Sequence, residues 1–474
     1  MSPRSLLLAV ALFLVCLPIS LHAEGSRRPN LLLITADDLG LQLGCYEDEA
    51  ARTPHLDALA KRSRLFENAY VAQASCSPSR SAMFTGLYPH ANGQYGLLNA
   101  GVGFQLHEPL HSQTIPALLK QAGYSTGILG KLHVGPENVF PFDVRVRSDT
   151  RDVVATTQKA GEFFRESQEP FFFMANFSDP HVYGRSPRPP KEAFPTQYKG
   201  IPADPLKVGE VPAFPFQRFD HPEEIERITQ YYNAVSRFDE GVGLLLDQLE
   251  KAGHAENTVV LFVSDHGPPF FRGKTTCYEG GVKVPMLLYW PGVFESGDST
   301  DALVSTVDIL PTFLDAAGIE NTRNLHGESL RKTDRDWRKT LATEFHYHGS
   351  TPFFPRRTIR NERYKLIHNL LASEKTPTQG VDGDAAYRLA RESTEVTDTI
   401  RKAFERAANP PEFELYDLQS DPWEFKNLAD ETEHQQVLSE MKQALLDWRK
   451  ATDDPLLTED GMKRIAKFEQ RKKK

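Results

Sequence analysis

Four short apolar runs constrain this chain more than any other feature: residues 30–35 (NLLLIT), 125–129 (STGIL), 170–177 (PFFFMANF) and 258–264 (TVVLFVS). Each is continuous rather than alternating, the pattern of a strand covered on both faces, and helical periodicities lie between them. Together they predict an α/β fold with a large, mostly parallel central sheet flanked by helices. Each run also ends in polar chemistry. Asp37 and Asp38 follow the first, Lys131 and His133 the second, Asp179 and His181 the third, Asp265 and His266 the fourth. Ligands of open α/β sheets bind beyond the carboxyl ends of the strands, so these groups are expected on one rim.

The 474 residues exceed the roughly 250–300 that one core supports, so a smaller companion to the main domain is expected. The main domain is read as residues 25–340 and the companion as 341–474. The companion is an α+β unit whose extended aromatic segments, from about Thr343, suggest a small antiparallel sheet. A helix across 433–448 follows, with Thr432 placed to cap it and Gln435 three residues on. Residues 186–222 are rich in Pro and aromatics without periodicity, which suggests a long surface excursion. The terminal KRIAKFEQRKKK reads as a solvated, frayed end.

Residues 1–23 carry one early positive charge, Arg4, then LLLAVALFLVCLPI and a close on SLHA, the three regions of a secretory signal peptide. No later stretch is apolar enough to span a bilayer, so an exported protein without an integral membrane segment is expected, in a periplasm, a lumen or the medium. Cleavage removes Cys16 and leaves Cys45, Cys76 and Cys277. Three cysteines cannot all pair within one chain, and whether Cys45 and Cys277 do so is open.

Asp37, Asp38 and Asp265 on one rim need a cation, and carboxylate oxygens favour Ca²⁺ or Mg²⁺ over zinc. Charge repulsion does not choose between the two ions. Between the first two strands, Cys76-Ser77-Pro78-Ser79-Arg80 predicts a helix beginning at Pro78, capped by Ser77, with Cys76 at its mouth and Arg80 one turn along. A helix N-terminus beside a guanidinium binds anions and activates a nucleophile.

The pattern C-x-P-x-R resembles the maturation signal of the formylglycine-dependent sulfatases. ADDLG at 36–40, GKLHVG at 130–135, DPH at 179–181, SDHG at 264–267 and GKTTCYEGGVKVP at 273–285 strengthen the resemblance. It implies an alkaline phosphatase-like fold and a sulfuric ester hydrolase whose Cys76 a separate formylglycine-generating enzyme oxidises to an aldehyde. By the same resemblance, Asp37, Asp38, Asp265, His266 and residue 76 hold a divalent cation, usually Ca²⁺. Arg80, Lys131, His133, His181 and Lys274 then stabilise the nucleophile, bind sulfate and move protons. A sulfated saccharide is the implied substrate, and a homodimer is compatible with the family.

Longer segments far from these motifs, among them RFDEGVGLLLDQLEKAG (237–253) and ELYDLQSDPWEFKNLAD (414–430), are most similar to the sulfamidase branch. That branch cleaves the N-sulfate of glucosamine at the end of heparan-type chains. Sulfamidases generally place Asn and Arg where this chain has His266 and Lys274. The alternative is an O-sulfatase of another sulfated polysaccharide or glycosaminoglycan; Cys76 argues against a phosphomonoesterase, and a silent glycan binder requires Cys76 to remain a thiol. Substrate contacts are expected from 345–365, with His346, His348, Arg356 and Arg357 facing the sugar. The net charge of -9 disfavours nucleic acid as a partner and points to a small cationic pocket on an acidic body.

Overall fold

The computed structural model describes residues 28–167, 170–183, 193–194, 204–333 and 337–471. The expected signal segment lies outside them, as does much of the 186–222 excursion, from whose described part Phe214 and Phe216 are buried.

Strand β1 (Asn30–Ala36) is buried at every residue and takes the middle of the central sheet. Its side chains alternate between two cores: Leu31 and Leu33 join one, Leu32 and Ile34 the other. The other strands of the described residues are β2 (Arg64–Phe66), β3 (Ala69–Tyr70), β4 (Ser125–Gly130), β5 (Val144–Val146), β6 (Phe171–Asn176) and β7 (Thr258–Ser264). They continue with β8 (Met286–Tyr289), β9 (Ser299–Thr300), β10 (Val304–Ser305), β11 (Leu341–Phe345), β12 (Arg356–Arg360), β13 (Tyr364–Asn369) and β14 (Phe413–Asp417). The main sheet runs β5-β4-β6-β1-β7-β8-β2-β9. Its β5, β4, β6, β1 and β7 are mutually parallel, and β8 is antiparallel to both β7 and β2.

Helices cover both faces, as continuous apolar strands require. The helices Val153–Glu166 and Pro222–Lys251 bring Phe163, Phe164, Tyr231 and Phe238 to one face. On the other face, Met83 and Phe84 of the helix Cys76–Thr85 pack with Leu310 and Phe313 of the helix Ile309–Ala316. The Cys76 helix starts two residues earlier than its sequence suggests, with Ser75 in the cap position. Pro78 sits in the first turn, where its missing N–H is not needed, and the Ser77 hydroxyl accepts from Leu98 N at 3.0 Å instead of capping.

Strands β11–β14 form a four-stranded antiparallel sheet starting at Leu341. It is tied to the main body by Glu344 N donating to Ala72 O and by Glu279, which pairs with Arg360 and Lys365. The last long helix is Gln435–Ala451, entered through a tight turn at Thr432–His434. Thr432 does not cap it; the Gln435 amide reaches back to the carbonyls of Ala429 and Glu431. The chain end is also more ordered than its charge suggests. Helices Glu459–Ala466 and Phe468–Arg471 bury Ile465, and Phe468 stacks on Phe104 with ring centroids 4.7 Å apart.

Candidate active site

Parallel register puts the four strand ends side by side. Thr35 pairs with Asn176, Ala36 with Ser264, and Gly130 with Asn176, so the residues that follow share one rim. Gly130 permits this closeness: its φ is +77°, and a Cβ there would lie 1.9 Å from the Asn176 carbonyl oxygen. Asp38 and His133 also hold positive φ, 73° and 57°. Tyr231 from the long helix fixes the Asp38 turn, its hydroxyl donating to Asp38 O at 3.0 Å and accepting from Gly40 N at 3.1 Å.

Cys76, 2% exposed, stands at the helix mouth. Its Sγ is 3.3 Å from His266 Nε2 and 3.7 Å from Asp37 Oδ1. Lys131 Nζ donates to Asp37 Oδ2 at 2.6 Å, and Lys274 Nζ to Asp38 Oδ1 at 2.9 Å. Arg80 Nε donates to Asp265 Oδ2 at 2.9 Å and its Nη1 to Asn176 Oδ1 at 2.9 Å. Its buried Nη2 has no partner among the described residues. Burial opposes ionisation of the Cys76 thiol, but Lys131, Lys274 and His266 outweigh it and hold the thiol well below its ordinary range.

One ligand atom each from Asp37, Asp38, Cys76 and His266 lies within 4.8 Å of the other three, all on buried residues. His266 points Nδ1 at the Gly267 carbonyl, 3.0 Å away, so that nitrogen carries the proton and Nε2 faces the cluster. The electrostatics fit a cation. Burial raises both Asp38 and Asp265 despite their cationic neighbours, with the Asp37 charge adding to the rise at Asp265. Burial is outweighed at Asp37 by the site's own cations, Lys131 first, which hold it below the usual carboxylate range, but they leave Asp38 and Asp265 undercompensated, and a hard divalent ion suits this oxygen-rich set. Asp265 adjoins the four, but its oxygens accept from Asp38 N at 3.1 Å and from Arg80.

The rim opens through Lys131, whose side chain is 26% exposed, and His181, at 28%. His181 Nδ1 donates to Val182 O at 2.8 Å, which leaves Nε2 facing Asp38 Oδ2 at 3.9 Å. Burial would lower its pKa, but Asp38 and Asp37 raise it to about 9. His133 Nε2 is 3.4 Å from Asn99 Oδ1, beside the opening. Asp179 faces away, paired with Arg151 and Arg237. Arg272 cannot stand in for Lys274, because its guanidinium donates to the carbonyls of Phe216, Ala403, Trp423 and Glu424.

Three of the four residues expected to face the sugar do not. Arg357 is buried against Asp454 at 2.8 Å, His346 is buried between Gln73 and Arg357, and Arg356 donates to Thr275 O and lies over the Phe345 and Phe354 rings. Neighbours on β12 point to opposite faces of its sheet, Arg356 toward Thr275 of the main body and Arg357 toward Asp454 near the end of the last long helix, and neither face is the site. Only His348 reaches the site, with Nδ1 3.0 Å from the Ser75 hydroxyl. Cys45 and Cys277 are both free thiols. Sequence reasoning missed Asn176 and Tyr231, buried polar groups in apolar elements whose pattern was itself the only signal, and Asp382. Asp382 Oδ2 accepts from Lys274 Nζ at 2.7 Å, from a loop that carries no motif.

Comparison with known proteins places this arrangement. The N-sulphoglucosamine sulphohydrolase C-terminal profile matches residues 266–383. The human protein N-sulphoglucosamine sulphohydrolase is 34% identical over 473 residues, covering 91% of each chain. An ulvan-active sulfatase of Formosa agariphila is 29% identical, over 91% of this chain and 82% of its own. A solved structure in complex with its substrate D-glucosamine-2-N,6-O-disulfate superposes with a TM-score of 0.64 at 23% identity, covering 90% of this chain and 99% of that one. The Sulfatase profile matches residues 29–319, a span that contains the Cys76 helix and all four strand ends, and the chain belongs to the sulfatase family.

Proposed function

We propose that this sulfatase removes the N-sulfate of glucosamine at the end of heparan- or heparin-type chains, with Cys76 matured to formylglycine and Ca²⁺ as the cation. One observation carries the sulfatase chemistry: Cys76 packs against Asp37, Asp38 and His266 within reach of Arg80, Lys131, His181 and Lys274. Support for the N-sulfate is the 34% identity to the human N-sulphoglucosamine sulphohydrolase along 91% of both chains.

When bound by Asp37, Asp38, residue 76 and His266 with Asp265 beside them, the cation supplies Lewis-acid compensation for an anionic sulfuryl group. Formylglycine at position 76 supplies an oxygen nucleophile that is regenerated without water attacking sulfur. The chain's own groups do the rest. Arg80 Nη2 and Lys131 Nζ bind and orient sulfate oxygens where water is largely excluded. His181 Nε2, protonated below about 9, gives its proton to the departing nitrogen, and Lys274 holds a second proton beside it. His133 stands at the opening to accept the proton released from residue 76.

The acidic body and the confined rim support action at a chain end rather than along a polyanion. The apolar residues 1–23 support export, and maturation calls for a formylglycine-generating enzyme in the host. A second reading, an O-sulfatase of another sulfated polysaccharide, is favoured by His266 and Lys274 and by the relative active on ulvan. Sulfate release from N-sulfated and 6-O-sulfated glucosamine, measured by ion chromatography, separates the two. Preference for the N-sulfate is expected; equal or reversed preference rejects it. Mass spectrometry of the tryptic peptide ending at Arg80 checks the maturation, and protein from the native host carrying only the thiol rejects the enzyme reading.

A further inference from the structure

Lys274 shares one ammonium between two carboxylates, Asp38 at 2.9 Å and Asp382 at 2.7 Å. The two acids differ in surroundings. Asp38 is fully buried within the cation cluster, whereas the Asp382 side chain is 22% exposed. Asp382 Oδ1 takes no hydrogen bond from any described residue, and the side chain keeps some contact with solvent. One carboxylate oxygen of Asp382 lies within 4.8 Å of atoms of both Asp38 and His181, the residue assigned to protonate the leaving group.

The placement is built rather than incidental. Asp382 holds φ at 53°, and its carbonyl accepts from Arg227 Nη2, on the long helix, at 3.1 Å. Two residues on, Asp384 accepts from Phe271 N at 2.8 Å, which ties the loop to the segment that carries Lys274. A fixed negative group that the cation-binding set does not use therefore stands beside His181 at a partly exposed position. Such a group would repel a sulfate or carboxylate that came against it, and it welcomes only a hydroxyl or amine donor.

We propose that Asp382 is a specificity-determining residue: it accepts a hydrogen bond from a hydroxyl or amine next to the scissile sulfate and rejects a second anionic substituent at that position. The proposal rests on the reading of the cleft as a sulfated-sugar site and adds which face of the sugar is tested for charge.

The test compares kcat/KM of the matured enzyme and of D382N on N-sulfoglucosamine and on its 3-O- and 6-O-sulfated derivatives. Wild type should discriminate against one of the two disulfated sugars. D382N should lose about tenfold or more on the monosulfated sugar, mostly through KM, and its discrimination should shrink by a similar factor. D382E, which keeps the charge, should retain the preference. Melting temperatures of both variants separate this result from misfolding. Equal losses on all three sugars with unchanged discrimination, in folded protein, overturn the proposal, because they reduce Asp382 to a support for Lys274. If wild type cleaves none of these sugars but does cleave an O-sulfated one, the N-sulfate reading fails. The same ratio, measured on that sugar with and without a neighbouring sulfate, then decides the role of Asp382.

Discussion

Cys76 and Arg80 occupy successive turns of one helix, and their replacement should separate chemistry from fold. Cys76→Ala removes the nucleophile, and sulfate release should fall by about 10³-fold or more with little change in melting temperature. Arg80→Lys keeps the charge but cannot reach Asp265, Asn176 and the anion position together, so kcat should drop on the order of a hundredfold. Assayed at saturating substrate, an R80K enzyme within threefold of wild type would remove Arg80 from the reaction. Most chemical groups at this scale were legible as residue types after apolar runs. Asp382 was not, because its place at the site is set by a contact with Lys274 across 108 residues of chain.

Secondary-structure elements bring those residues together through register, and the register depends on close approach. Gly130→Ala drives a methyl into the Asn176 carbonyl, so the end of β4 must move and carry Lys131 away from Asp37. The variant should melt several degrees lower and lose activity out of proportion to its stability loss, as differential scanning calorimetry and sulfate release would show. The strands themselves were readable because a continuous apolar run of this length has few alternatives to a doubly covered strand. Helix ends were less so. Pro78 marked a first turn without fixing which residue opened it, and the basic tail concealed Ile465 and Phe468, whose partners lie in the loop around Phe104.

For the whole molecule, the surroundings of Arg357 form a buried polar network with Asp454, Glu344 and His346 rather than a binding surface. Arg357→Met removes one of the two arginines paired with Asp454, leaving Arg449 as its remaining cation, and should cost about 1–3 kcal/mol in urea unfolding. The same region sets an acid limit. Burial, with Arg357 adding to it, lowers His346 to about 3, and burial with His90 lowers His326 to about 4, from 6.5. Below about 6.5 the unfolded chain therefore binds protons that the folded chain refuses, and stability should fall as pH drops toward those values. Denaturant midpoints between pH 7 and pH 4 check the sign, and His346→Gln should flatten part of the slope. Chelation of the divalent ion should lower both activity and melting temperature, with Ca²⁺ restoring them.

The sequence by itself determined the strands of the sheet, the helix that carries Cys76 and the residue types on the rim, since these follow from local periodicity and from chemistry that a short motif concentrates. Only the tertiary structure decided which polar groups face the site. Arg356 and Arg357 have the composition of a sugar-binding loop, yet strand alternation and the carboxylates of the opposing layer draw Arg357 inward, because a buried ion demands a partner wherever the chain provides one. Asp382 meets the opposite fate: a loop without a motif is held by Arg227 and Phe271 so that its carboxylate stands, partly exposed, beside Asp38 and His181. Charge pairing between segments distant in sequence, which no local pattern encodes, made both choices.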